Sequence, residues 1–289
     1  MPSSRSLASR SLAVGAFVLV MALSTACSAA RAPHPGSGTP APSGGATVPA
    51  AVRPPTANAA FDYQLGGAYP PPAGVRAVSR DRTAEPAPGL YNICYVNAFQ
   101  AQPDATGLWK DRHPELLLRD GDGEPVIDTD WDEPLLDIST GAKRRALMDI
   151  VGPWIDGCAQ AGFDAVEPDN LDSYERSGGR LTAGHAAAFA QLMARRAHQQ
   201  HLAVAQKNTT DLLPQRRRIG FDFAVVEECA RYHECTEFAE AYADRVFVIE
   251  YEPKDFTAAC RAWGKTLSLS LRDRDVRPAG AEGHVAKRC

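Results

Sequence analysis

The patterning of the chain predicts an α/β fold whose parallel sheet closes as a TIM-like (β/α)8 barrel. From residue 61 onward short β-rich runs alternate with amphipathic helical ones, and strand, helix, strand at such spacing means parallel pairing. Nine candidate strands can be counted, one more than an eight-stranded barrel needs. The competing architecture is a doubly wound open sheet, but the Gly-rich nucleotide-binding turn that would support it is absent.

Two segments precede the barrel. Residues 1–27 read as an export signal: Arg5 and Arg10 come before the apolar run Leu12 to Leu23, which gives way to Ser24-Thr25-Ala26-Cys27. The run is shorter than the roughly 20 apolar residues of a comfortable membrane-spanning helix. Its ending resembles a bacterial lipoprotein signal, in which the cysteine becomes the lipidated first residue of the mature chain. The expected location is therefore the outer face of a bacterial cell membrane, held by a lipid at Cys27, or the medium if Cys27 carries no lipid. Residues 28–60 hold seven prolines and four glycines among Ala, Ser and Thr. Such a segment buries too little surface to offset its ordering entropy and reads as a disordered tether.

The folded domain is then 61–289, long enough for one sizeable core. The 289-residue chain is 44% hydrophobic and 23% charged, which excludes a wholly disordered, collagenous or multi-span membrane protein. Residues 1–60 contain four arginines and no acid, so the remainder carries 27 basic against 35 acidic residues. An acidic domain argues against duplex nucleic acid as partner and suits a polycation better.

The candidate strands are Phe61 to Leu65, Val75 to Ser79, Tyr91 to Asn97, Leu135 to Ile138, Phe163 to Asp169, Leu202 to Asn208, Phe221 to Glu228, Val246 to Tyr251 and Thr266 to Leu271. The helices are Ala142 to Gln160, Thr182 to His201 opening on a Thr cap, Cys235 to Asp244 and Lys254 to Trp263. Of the seven cysteines, six remain once Cys27 is set aside, an even number suited to an oxidising compartment. Nearness in sequence favours Cys229 with Cys235 and Cys260 with Cys289, leaving Cys94 for Cys158. Neither a CxxC pair nor a Cys/His zinc spacing occurs, and His198 with His201 lacks a second ligand pair, so neither metal nor cofactor is expected.

Chemistry gathers at the strand ends. Glu167 and Asp169 stand two residues apart and so on one face, Lys207-Asn208 ends the next strand, Glu227-Glu228 the one after, and Glu250-Tyr251 the next. In a barrel those C-terminal ends converge on one mouth. Tyr63-Gln64-Leu65, Cys94-Tyr95, Leu136-Asp137-Ile138, Gly162 to Asn170 as GFDAVEPDN, Lys207-Asn208, Phe221 to Cys229 as FDFAVVEEC with Tyr232 and Cys235, and Ile249-Glu250-Tyr251 together resemble the endo-α-1,4-polygalactosaminidases of glycoside hydrolase family 114. The likeness runs from residue 61 to about 265. It departs at Tyr63, where the family has Trp, and at Asn97 to Gln100, where a Gly-rich stretch with a Glu is usual.

The resemblance implies a TIM-like barrel that cleaves α-1,4 bonds between galactosamine or N-acetylgalactosamine units. Its carboxylate pair carries over onto Asp169 and either Glu227 or Glu228, which suits glycosidic cleavage: one carboxyl protonates the leaving oxygen and another works at the anomeric side. Asp169 is read as nucleophile or base. Glu227 is read as the acid, because it shares strand parity with Phe223 and Val225 while Glu228 points oppositely. Tyr95, Asp137, Glu167, Asn170, Lys207, Asn208, Glu250 and Tyr251 would bind or surround the sugar. A galactosamine or N-acetylgalactosamine polysaccharide is thus the expected partner of an otherwise monomeric protein. The alternative is a non-catalytic carbohydrate-binding lipoprotein on the same barrel. A metal-dependent polysaccharide deacetylase would want an Asp and two His at one site, and the seven histidines fall mostly elsewhere.

Overall fold

Eight short parallel strands form the body of the protein in strict chain order. The computed structural model describes residues 51–289 apart from residue 106, so the expected signal, Cys27 and residues 28–50 of the tether lie outside the described residues. The strands are β1 (Phe61–Gln64), β2 (Ala77–Asp81), β3 (Tyr91–Asn97), β4 (Ala165–Asp169), β5 (Ala203–Lys207), β6 (Phe223–Glu227), β7 (Val246–Glu250) and β8 (Ser268–Arg272). Each pairs parallel to the next, and β9 (Ala286–Arg288) is added antiparallel to β8. The ring is nearly closed by the segment after β1, where the Gly66 amide donates to the Val276 carbonyl at 3.2 Å. Only glycine allows this approach, since a Cβ at 66 would lie 2.6 Å from that oxygen.

Period two explains what fills the barrel. The odd-numbered residues of β1 to β7 point inward, and near the bottom Phe61, Ala77, Ile93, Ala165, Ala203, Phe223 and Phe247 are buried together. Large rings face alanines across this layer, and the Phe61 and Phe247 centroids are 4.5 Å apart. Above it the inward positions turn polar at Ser79, Tyr95, Glu167 and Lys207. The even-numbered faces of β3 to β7 are mainly apolar, with Asn92, Gln206 and Glu250 the exceptions, and are covered largely by helices.

Helix α1 (Gly141–Ala161) is capped by Thr140, whose hydroxyl accepts from the Lys143 amide, and it stops at Gly162, where φ is 94°. It buries Leu147, Val151, Ile155 and Cys158 at helical spacing. Helix α2 (Ala183–Gln199) opens on Thr182, as its sequence predicts. Shorter helices follow: α3 (Arg216–Ile219), α4 (Cys229–Tyr232), α5 (Cys235–Tyr242) and α6 (Pro253–Trp263). The three disulfides join the expected partners. Cys94, on the outward parity of β3, reaches Cys158 on α1 with their Cα atoms 6.0 Å apart, and Cys229–Cys235 and Cys260–Cys289 close the others.

Three features differ from the sequence expectation. The ninth candidate strand, Leu135 to Ile138, is not part of the barrel. It lies in the long 98–140 excursion, where Leu135 and Leu136 make only isolated bridges to Gln100 and Leu117. Between β1, β2 and β3 the described residues form loops rather than helices. The outward faces there carry Asp62, Gln64 and Arg80, which no apolar helix could cover. They bond to one another and to Tyr69, with Arg80 Nε donating to Gln64 Oε1 at 2.9 Å and the Tyr69 hydroxyl to Asp62 at 3.0 Å. Residues 51–60 belong to the folded body rather than to a free tether: Pro55 is buried, and the Arg53 carbonyl accepts from the Tyr91 hydroxyl at 2.8 Å.

Candidate active site

At the C-terminal ends of the strands a cleft of about 290 Å³ opens, lined among others by Tyr63, Tyr95, Asp169, Asn170, Asn208, Glu227 and Tyr251. Its floor is organised by Lys207. The buried ammonium donates to Glu167 Oε1, Asp169 Oδ2 and the Tyr63 hydroxyl, each at 3.1 Å, and lies 3.5 Å from Glu227 Oε2. These side chains meet because all sit on inward parity at the tops of β1, β4, β5 and β6. Glu167 is fully buried below, accepting from the Tyr63 hydroxyl at 2.9 Å and from Ser79 Oγ at 2.6 Å. With each oxygen engaged, it serves as a fixed counter-charge under Lys207.

Asp169 and Glu227 face the cleft. Glu227 is held by the Tyr251 hydroxyl on one oxygen and by Asn208 Nδ2 at 3.2 Å on the other, while its own amide donates to Asn208 Oδ1 at 2.8 Å. The Asp169 carbonyl accepts from the amides of Ala98 and Phe99, which ties the strand end to the excursion. Asn170 donates to Asn97 at 3.3 Å, and Asn97 donates to Glu133 at 2.9 Å.

The two carboxylates are electrostatically unequal. Burial pushes Asp169 up to about 7, and the neighbouring charges of Glu227 and Glu167 add to this against the pull of Lys207. Burial would raise Glu227 too, but the Lys207 charge and the hydrogen bonds from Tyr251, Asn208 and Lys207 outweigh it and hold Glu227 below the usual glutamate value. Burial opposes the Lys207 charge, yet Asp169, Glu227 and Glu167 keep it well above the ordinary lysine value. Tyr95 is pushed well up by burial and by the adjacent Asp169. A proton shared by the pair is therefore biased toward Asp169 and away from Glu227.

Three expected site residues are placed elsewhere. Glu228, on the opposite parity and with φ of 57°, turns away from Lys207; it pairs with Arg231 at 2.7 Å and with Arg274 at 3.6 Å. Glu250 points outward from β7 and accepts from the Ala230 amide at 2.9 Å behind the barrel wall. Burial raises it to about 7. Asp137 binds the amide and hydroxyl of Ser139 and lines a separate shallow surface depression. Conversely, the cleft also draws on Trp131, Asp172, Arg176 and Arg274, which strand patterning did not single out because they come from loops. Tyr63 appeared in the first motif, and its inward parity was the available sign of its role.

A parallel eight-stranded barrel with two carboxylates sharing a lysine at its C-terminal mouth holds the residue types that glycosidic hydrolysis uses. The profile of glycoside-hydrolase family GH114 matches residues 43–289, and the chain belongs to that family. Among solved structures, Aspergillus fumigatus Ega3 in complex with galactosamine is similar with a TM-score of 0.65 and 23% identity, over 83% of this chain and 98% of that one. The glycoside hydrolase domain of PelA from Pseudomonas aeruginosa aligns with a TM-score of 0.55 and 15% identity, over 77% and 97%. At these identities the likeness is one of fold. No curated protein sequence matches the chain.

Proposed function

We propose that the protein is an exported hydrolase of α-1,4-galactosaminide bonds in galactosamine-containing polysaccharide, acting through Asp169 and Glu227. The observation that carries the reading is their sharing of Lys207 Nζ, at 3.1 and 3.5 Å, on the floor of the cleft. The two oxygens can lie no further apart than those distances laid end to end. That bound admits the carboxyl spacing of about 5 to 5.5 Å used by retaining enzymes, and the anomer released separates that case from the roughly 6.5 to 9.5 Å spacing of inverting ones.

In the retaining reaction the Asp169 carboxylate attacks the anomeric carbon as the Glu227 carboxyl protonates the departing oxygen; Glu227 then takes a proton from the water that releases the sugar. Glu227 suits the second part because its side chain is the more open, 21% exposed against 10% for Asp169. Since the electrostatics bias the shared proton toward Asp169, the reaction as proposed needs that proton on Glu227 once the sugar is bound. A cationic amino sugar beside Asp169 favours that placement, because it stabilises the ionised aspartate. The galactosamine bound to the structurally similar Ega3 supports this substrate class.

Incubation with galactosaminogalactan should generate new reducing ends, fragments differing by hexosamine units, and α-anomers as first products by NMR. Unchanged polymer would sink the reading, and β-anomers would sink retention. Export is supported by the signal at residues 1–27 and by three disulfides, which persist in oxidising compartments. Lipid attachment at Cys27 predicts recovery in the membrane fraction and release of Cys27→Ala to the medium; equal partition of both would refute it.

A further inference from the structure

Arg274 stands across the mouth of the site and has no part in the reaction above. It follows β8, and its guanidinium lies 5.3 Å from the Tyr251 ring centroid, 6.0 Å from that of Trp131 and 3.6 Å from Glu228 Oε2. The catalytic cleft meets a second cavity here, of about 330 Å³, into which Asp211, Tyr232 and Glu234 also project. Glu227, Tyr251, Trp131 and Arg274 line both, so Arg274 occupies their junction. It is the only cation among the described residues that line the second cavity.

We propose that Arg274 is a specificity-determining residue: a resident cation that holds the place of a substrate ammonium group between Glu228 and the aromatic rings, and that an amino-sugar unit displaces. The proposal rests on the galactosamine reading above. A cation over aromatic faces and beside a carboxylate is the environment that a galactosaminium group would seek. The same rings, Trp131 being 44% exposed, offer faces to a pyranose once the guanidinium has moved. Displacement costs little, because the Arg274 side chain is 58% exposed and partly exposed ion pairs are weak. An N-acetylated unit is neutral and cannot replace the guanidinium at Glu228, so the junction selects deacetylated units.

The test compares the full chain with its Arg274→Ala and Arg274→Gln variants on short galactosamine oligomers and on their N-acetylated counterparts. Both variants should lower KM for the galactosamine oligomers roughly three- to fivefold, the scale of one partly exposed charge pair. KM for the acetylated oligomers should move less, and Arg274→Ala combined with Glu228→Gln should lose the gain. A raised KM would mean that Arg274 itself grips the sugar and would overturn the proposal, as would equal shifts on both substrates. If the wild type cleaves neither oligomer, the galactosamine reading fails and the proposal with it; cleavage with KM unmoved by either variant removes the Arg274 role alone.

Discussion

Lys207 decides what the carboxylates around it do. Because it is buried and placed among Glu167, Asp169 and Glu227, it compensates charges that burial would otherwise neutralise. Asp169→Asn and Glu227→Gln should each reduce turnover at least about a hundredfold with little loss of folding, since an amide neither attacks nor donates as a carboxyl does. Glu228→Gln, which leaves that cluster untouched, should change kcat far less; a large loss there with Glu227→Gln near wild type would place the acid on Glu228. On the proposed mechanism the pair works with a single proton, which sets the sign of the pH dependence. Activity should fall as pH rises through about 7, where the raised Asp169 gives up the proton, and again in acid below the ordinary glutamate value, where the lowered Glu227 gains one. Asn208→Ala removes a hydrogen bond that favours ionised Glu227, so the acid limb should move to higher pH; a profile identical to wild type would count against that control. Inward parity made Glu167, Asp169, Lys207, Glu227 and Tyr251 legible in the sequence. Glu228 and Glu250 share the same strand ends, and only the sense in which parity runs through each end separates them from the site.

Strands and helices were legible wherever their periodicity reached the core. Eight of the nine candidate strands form the barrel, and the predicted spans of α1, α2, α5 and α6 lie within about two residues of those observed at most ends. Leu135 to Ile138 misled because an apolar run is equally a buried strand or a buried irregular segment, and its length does not arbitrate. That error carried Asp137 with it. The missing helices after β1 and β2 could have been anticipated from Asp62, Gln64 and Arg80, polar residues at positions a covering helix would bury. The α4 turn is held by elements on both sides: the Cys229–Cys235 bridge closes it, and Glu250 accepts from its Ala230 amide. Since it begins two residues after Glu227, its geometry is tied to that of the β6 end that carries Glu227. A bridge across so short a loop contributes stability only on the order of 2 kcal/mol. Replacing both cysteines by serine should therefore lower kcat several-fold with a modest drop in melting temperature. Loss of several kcal/mol in denaturant titration at wild-type kcat would reverse that ranking and make the bridge a purely structural staple.

At the scale of the molecule the charge balance and the site point to the same class of substrate. From residue 61 onward acids outnumber bases 35 to 27, and the two adjoining cavities at the barrel mouth contribute Asp172, Glu175, Asp211, Glu227, Glu228 and Glu234 to one surface. A concave surface predominantly of one sign, here interrupted by Arg176 and Arg274, concentrates a polymer of the other by long-range attraction, and this attraction is screened over about 10 Å at 0.1 M salt and about 3 Å at 1 M. The contacts that Lys207, Tyr251 and Asn208 make with Asp169 and Glu227 are at least partly buried, and salt reaches them weakly. The two contributions therefore separate by experiment: KM for deacetylated galactosamine polymer should rise several-fold between about 0.05 and about 0.5 M salt while kcat holds. KM for the fully N-acetylated polymer should stay flat over the same range, because it carries no charge to be attracted. Flat KM for both polymers would assign the acidic surface to solubility alone. A fall of kcat in parallel with the rise of KM would instead show that the screened charges act on Asp169 and Glu227 themselves.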